Sequence, residues 1–194
     1  FYGSKSVALG EKFFIFKPEF NKIRENYQFS SSVKSVLFFG TGTNKNTKIF
    51  KDLPSILINK FPDIKIMHIT NDPLLIQSKS YTPKSLNNSI EEYFRQADAI
   101  VNGGGLIKYE AAFCGIPSAT LSTTIEQHED TKILAQKGLL YDLGCQHNYK
   151  KEEVEKRMVD FIMNSNIRFD QNKKGLKFFM PNSINNLIQK INEI

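Results

Sequence analysis

What most constrains this chain is a repeated alternation. Short apolar runs of β-forming residues stop at polar or glycine-rich turns, and each turn leads into a stretch of helical periodicity. The run 34–39 (KSVLFF) stops at GTGTN, and 47–60 then sets Ile49, Phe50, Leu53, Ile56 and Leu57 at helical spacing. The run 64–69 is the next strand, broken by Asn71-Asp72-Pro73. Helix is expected over 89–96, strand over 99–101, helix over 106–114 and strand over 118–121. A helix at 128–136, a short strand near 140–143 and a helix at 151–163 complete the series. The stretch 74–83 is ambiguous and has room for one short strand.

Near-continuous apolar strands alternating with helices predict a parallel sheet covered on both faces, a doubly wound, Rossmann-like α/β domain. No internal repeat or low-complexity tract interrupts it. The domain is expected over 33–164, after a leader or interdomain segment at 1–32 and before a C-terminal helical segment of the same domain at 165–194. Within the leader, 13–16 reads as extended, KPEF (17–20) as a helix start and SSS (30–32) as a polar break. The opening FYGSKSVALGEKFF has no initiator Met, so processing or truncation before Phe1 is expected.

A chain of 194 residues that is 40% apolar and 24% charged is ordinary for a soluble globular protein. No apolar run approaches the roughly 18 to 20 residues of a membrane helix, and no secretory signal pattern is present, so no stable membrane insertion and a cytoplasmic location are expected. The balance of 26 Lys and Arg against 20 Asp and Glu gives +6, compatible with an anionic ligand. The lysines are scattered rather than striped and no nucleic-acid-reading motif accompanies them, so nucleic acid is not expected as a partner. Cys114 and Cys145 lack CxxC spacing and read as free thiols, and no clustered ligands imply a metal.

Ligands of such sheets sit at the carboxyl ends of the strands. After the strand ending at Phe39, the loop Gly40-Thr41-Gly42-Thr43-Asn44 offers unobstructed backbone N–H groups and two hydroxyls. After Val101, Gly103-Gly104-Gly105 opens a helix whose N-terminal amides and dipole attract a phosphate. Neither loop is a P-loop or a dinucleotide G-x-G-x-x-G, and a plain turn is the simpler account of either alone. Glu110 stands five residues beyond Gly105, where a carboxylate can accept two hydrogen bonds from a ribose diol. The plainer account is an exposed helical Glu paired with Lys108 or another surface lysine. Gly115-Ile116-Pro117 ends the helix with a glycine cap and a following proline.

A third strand end carries Thr123-Thr124-Ile125-Glu126-Gln127-His128-Glu129-Asp130, polar residues able to meet sugar hydroxyls. His128 can serve as acid or base, or simply orient and cap the helix it opens. His68 is expected in the core and His147 in a polar loop. No Ser/His/Asp or Cys/His arrangement has a supporting motif.

The stretch 97–144, with its Ala-Asp before a strand, glycine turn, Glu110 five residues ahead of Gly-Ile-Pro, and Gln127-His128, resembles the C-terminal nucleotide-binding half of the GT-B glycosyltransferases of the MurG type. The leader GEKFFIFKPEF (10–20) looks like the entry of a related branch, the UDP-sugar hydrolases of pseudaminic acid synthesis. GTGTN stands where those proteins carry a GGSDP-like loop, with Thr41 and Thr43 replacing its Gly and Asp, and 175–191 resembles their closing helix. The resemblance implies that Gly40, Thr41, Gly42, Thr43, Gly103, Gly104 and Gly105 face the diphosphate. It also implies that Glu110 binds the ribose and that Gln127, with His128 beside it, meets the sugar.

In those hydrolases the catalytic His belongs to an N-terminal domain. The resemblance therefore implies a UDP-sugar-binding half of a hydrolase whose catalytic residues lie on a missing N-terminal domain or partner subunit. It implies no cofactor beyond the UDP-sugar substrate. The alternatives are the donor-binding domain or subunit of a GT-B glycosyltransferase, and a non-enzymatic nucleotide-sugar binding module.

Overall fold

A computed structural model of the chain describes residues 10–40, 48–71, 73, 78–85 and 89–193. The expected Thr41, Gly42 and Thr43 lie outside the described residues. Six strands form one sheet: β1 (Ser35–Phe39), β2 (Lys65–Ile69), β3 (Tyr81–Lys84), β4 (Ala99–Asn102), β5 (Ser118–Ser122) and β6 (Tyr141–Cys145). Their order is β3-β2-β1-β4-β5-β6 and every neighbouring pair is parallel. The helices are α1 (Pro18–Asn26), α2 (Lys48–Lys60), α3 (Ile90–Phe94), α4 (Ile107–Cys114), α5 (Ile125–Gln136), α6 (Lys151–Met163), α7 (Ser165–Phe178) and α8 (Ser183–Asn192). Among the described residues, no helix is long and apolar enough to cross a membrane.

The two-residue period of the strands divides their apolar side chains between two cores. Leu37, Met67 and Ile100 face one side with Phe20 and Ile23 of α1 and Ala111 and Phe113 of α4. Val36, Phe38, Ile66 and Val101 face the other with Leu53 and Leu57 of α2 and Met158 and Phe161 of α6. Burying each such side chain contributes about 1.5–3 kcal/mol, which is why central strands must be apolar on both faces. The ambiguous stretch does hold a strand, β3, at the sheet edge, where Pro83 interrupts no interior ladder.

Four expectations are revised. The segment read as a leader enters the core: α1 starts at Pro18 with its ring at the first turn, Phe20 and Ile23 are buried, and Arg24 donates to the carbonyls of Phe113 and Leu176. α5 begins at Ile125, three residues before the expected start, because the Thr124 side chain caps it by accepting from the Gln127 amide at 3.2 Å. The last strand runs to Cys145 because a register shift opposite Thr120 and Leu121 inserts a bulge. There Gly144 adopts φ 106° and donates to Asp142 Oδ1 at 2.8 Å. The closing segment is two helices, not one, separated at Phe179–Asn182, where Pro181 stands.

Candidate functional site

The strand order creates the site. From β1 the chain winds outward through β2 and β3, then returns to lay β4 on the other side of β1. The helices that follow β1 and β4, α2 and α4, pack on opposite faces of the sheet, so the switch-point crevice where such sheets take ligands falls between these two strands at their carboxyl edge. Gly40 follows β1 and Gly103 follows β4, so these two glycines meet at this point.

They meet closely. The Gly103 amide donates to the Phe39 carbonyl at 3.1 Å, and a Cβ on Gly103 would stand 1.7 Å from the Gly40 carbonyl oxygen. Gly104 has φ 91°, a backbone region that side chains disfavour, and its amide donates to Asn102 Oδ1 at 3.0 Å. Asn102, fully buried, also accepts from the Thr120 hydroxyl at 3.1 Å and donates to the Ala119 carbonyl at 3.4 Å. The amides of Gly103 and Gly104 are thus committed to holding the turn. Those of Gly105 and Leu106, both exposed, have no hydrogen-bond partner among the described residues and head the N-terminus of α4. Asn102 was not singled out as a positioning residue in the sequence. Its signal was the Asn-Gly pair at a strand end, an Asx-turn former.

Glu110 lies partly buried about 7.5 Å further along α4, by the helical rise per residue. Burial raises its carboxyl above the ordinary carboxylate value, with Lys17 opposing the rise and Glu91 reinforcing it. Lys17, at the entrance to α1, pairs with buried Glu91 at 3.0 Å, and Ser89 also donates to that carboxylate. Glu110 itself has no hydrogen-bonded side-chain partner among the described residues, and its pairing with Lys108 is not formed. Residues two apart on a helix point to opposite sides, and Lys108 is buried against Asp130 at 2.7 Å.

From β5, Thr123 and the first turn of α5 complete the rim. The Thr123 hydroxyl donates to Gln127 Oε1 at 2.7 Å, leaving the Gln127 amide nitrogen as a donor. Gln127 Cβ lies 3.5 Å from where a Gly104 Cβ would stand, so Gln127 borders the glycine turn. His128 turns to β6 instead, its Nε2 3.2 Å from Asp142 Oδ2. Thr124 and Gln127 stand in the Thr-x-x-Gln spacing of a capping box, the sequence signal for the early start of α5. His68 is buried in the sheet, hydrogen-bonded to the Tyr81 hydroxyl at 2.9 Å, and burial lowers its pKa to about 4. Cys114 and Cys145 are free and buried.

The fold is shared with solved structures. The fold matches S. aureus MnaA in complex with UDP at a TM-score of 0.67 and 12% identity, covering 89% of this chain and 52% of that one. It matches MurG of Acinetobacter baumannii at 0.62 and 14% identity, over 90% of this chain and 53% of that one. It matches the UDP-GlcNAc 2-epimerase of Neisseria meningitidis bound to UDP-GlcNAc at 0.64 and 14%, over 86% and 46%.

The fold is that of the C-terminal half of a GT-B protein. Among curated proteins, the spore coat polysaccharide biosynthesis protein SpsG of Bacillus subtilis is 25% identical over 185 residues, 89% of this chain and 54% of SpsG. No protein-family profile matches the chain. The chain spans about half the length of the relatives it matches. These likenesses lend no support to the narrower resemblance to pseudaminic-pathway hydrolases.

Proposed function

We propose that this chain binds a UDP-sugar at the β1/β4 crevice and supplies the donor-binding half of a GT-B glycosyltransferase. The observation that carries the reading is the meeting of Gly40 with Gly103 at the switch point, beside two open amides at the head of α4 and a carboxylate one and a half turns along it. The diphosphate is assigned to Gly40, Thr41, Gly42 and Thr43 on one side and to the turn Gly103, Gly104 and Gly105 on the other. The open amides of Gly105 and Leu106 make the direct contacts. Glu110 takes the ribose and Gln127 the sugar, while His128, turned to Asp142, stands beside Gln127 without a direct sugar contact. UDP is favoured because solved structures of this fold hold UDP and UDP-GlcNAc, and polysaccharide synthesis because SpsG carries that description.

In transfer, negative charge grows on the departing diphosphate. Preorganised amides and the positive end of α4 stabilise that charge without reorganising. The acceptor half is assigned to a further domain or a partner subunit, and a cytoplasmic location goes with this reading.

Calorimetric titration with UDP tests it. Binding is expected, and Glu110→Ala is expected to weaken it by about 1.5–3 kcal/mol for each charge-assisted hydrogen bond lost. Absence of UDP binding, or an unchanged affinity in Glu110→Ala, overturns the assignment. Hydrolysis is the second reading, favoured by the KPEF entry at 17–20. Release of free sugar and UDP without acceptor by the full-length protein would select it over transfer, and binding without either reaction would select a non-enzymatic module.

A further inference from the structure

Lys108 is 1% exposed, and its ammonium takes no part in the ligand contacts assigned above. It reaches from the first turn of α4 to the first turns of α5. Its Nζ stands 2.7 Å from Asp130 Oδ2, 3.3 Å from the Gln127 carbonyl oxygen and 3.3 Å from Thr131 Oγ1. Thr131 donates to the same Gln127 carbonyl at 2.7 Å, and the Ser122 hydroxyl, at the end of β5, donates to Thr131 Oγ1 at 2.9 Å. Asp130 is also held by the Tyr109 hydroxyl, which is the neighbour of Lys108 on α4.

This network closes directly behind the glycine turn. A Cβ on Gly104 would stand 3.3 Å from Ser122 Cα and 3.5 Å from Gln127 Cβ. A buried ammonium tolerates little displacement, because leaving its acceptors means a desolvated, unpaired charge. The cation thus ties the backbone of Gln127 to the helix that the glycine turn opens.

We propose that Lys108 is a positioning residue that fixes Gln127 against the glycine turn, so that the Gln127 amide meets a hydroxyl of the donor sugar; this rests on the nucleotide-sugar reading of the site. The sugar contact, rather than nucleotide binding as such, is what the clamp controls.

The test is the ratio of UDP-GlcNAc affinity to UDP affinity, which cancels general effects on the nucleotide. It is measured for the native chain, Gln127→Ala, Lys108→Met, the double variant and Asp130→Asn. Gln127→Ala and Lys108→Met are each expected to lower the ratio roughly 3- to 10-fold, the worth of one hydrogen bond. The double variant is expected to lie no lower than Gln127→Ala alone, since residues acting through one contact do not add. Multiplying effects, or an unchanged ratio in Lys108→Met, overturn the proposal.

Should Lys108→Met not fold, Asp130→Asn decides. That side chain is 40% exposed and loosens the clamp from outside, so a lowered ratio is expected and an unchanged one overturns the proposal. A native chain that binds neither ligand overturns the nucleotide-sugar reading and this inference together. A native chain that binds both, with a ratio insensitive to Lys108 and Asp130, overturns this inference alone.

Discussion

The carbonyl oxygen of Gly40 occupies the space that a side chain on Gly103 would need, 1.7 Å from where its Cβ would stand. One glycine from each side of the switch point lets β1 and β4 bring their loops into backbone contact. Glycine at 103 is therefore a packing requirement, whereas glycine at 105, with no atom of the described residues within 4 Å of its Cβ position, is not.

Gly103→Ala is accordingly expected to lower the unfolding free energy by about 1–3 kcal/mol, the usual cost of forcing a carbon into filled space. Gly105→Ala should stay within about 0.5 kcal/mol of the native chain, as exposed substitutions do. It should still lose UDP affinity, because the methyl stands on the open face of the turn. Chemical denaturation and calorimetry on both variants check the contrast.

Glu110 carries a pH signature. Burial raises its carboxyl above 4.5, against the pull of nearby Lys17. A carboxyl whose folded pKa exceeds its unfolded one makes the folded state bind more protons. Its penalty is absent below the unfolded pKa and complete above the folded one. Glu110→Gln should therefore stabilise the protein at neutral pH and not at acid pH, in denaturation series at the two conditions.

Ribose recognition needs the ionised carboxylate, which accepts from both hydroxyls. UDP affinity of the native chain should fall with decreasing pH through a midpoint above 4.5. Subtracting the profile of Glu110→Gln removes the titration of UDP itself and isolates the carboxylate.

Asn102→Ala removes the acceptor of the Gly104 amide and of the Thr120 hydroxyl in a fully buried position. Unsatisfied buried groups cost about 1–3 kcal/mol, so a loss of that size is expected in denaturant unfolding. UDP binding should weaken as well, because the turn loses the side chain that sets the φ 91° conformation of Gly104.

Gln127 and His128 separate by direction. Gln127 borders Gly104, whereas His128 is held by Asp142 on the flank of β6. The affinity for UDP-GlcNAc relative to UDP should drop more in Gln127→Ala than in His128→Ala. The His128 variant should lose only about 0–1 kcal/mol of stability with its part-exposed contact to Asp142. Parallel titrations of the two variants read the difference.

The sequence by itself determined the kind and number of central elements. Near-continuous apolar runs and helices of period 3.6 are local properties, and β1, β2, β4, β5 and α6 fall within a residue or two of their expected bounds. Gly115 caps α4 with φ 73°, as its Gly-Ile-Pro ending required. The turn at Gly103–Gly105 was legible too, because a glycine run between an apolar strand and a helical stretch marks a turn.

Only the tertiary structure decided which strands are neighbours, and hence that Gly40 and Gly103 meet at the switch point. It also decided that Phe20 and Ile23 belong to the core and that Lys108 points inward to Asp130. These depend on burial between residues distant in sequence. A lysine reads as exposed in any local window, and only the helix packed across from it, with its carboxylate and carbonyl acceptors, makes the buried ammonium stable.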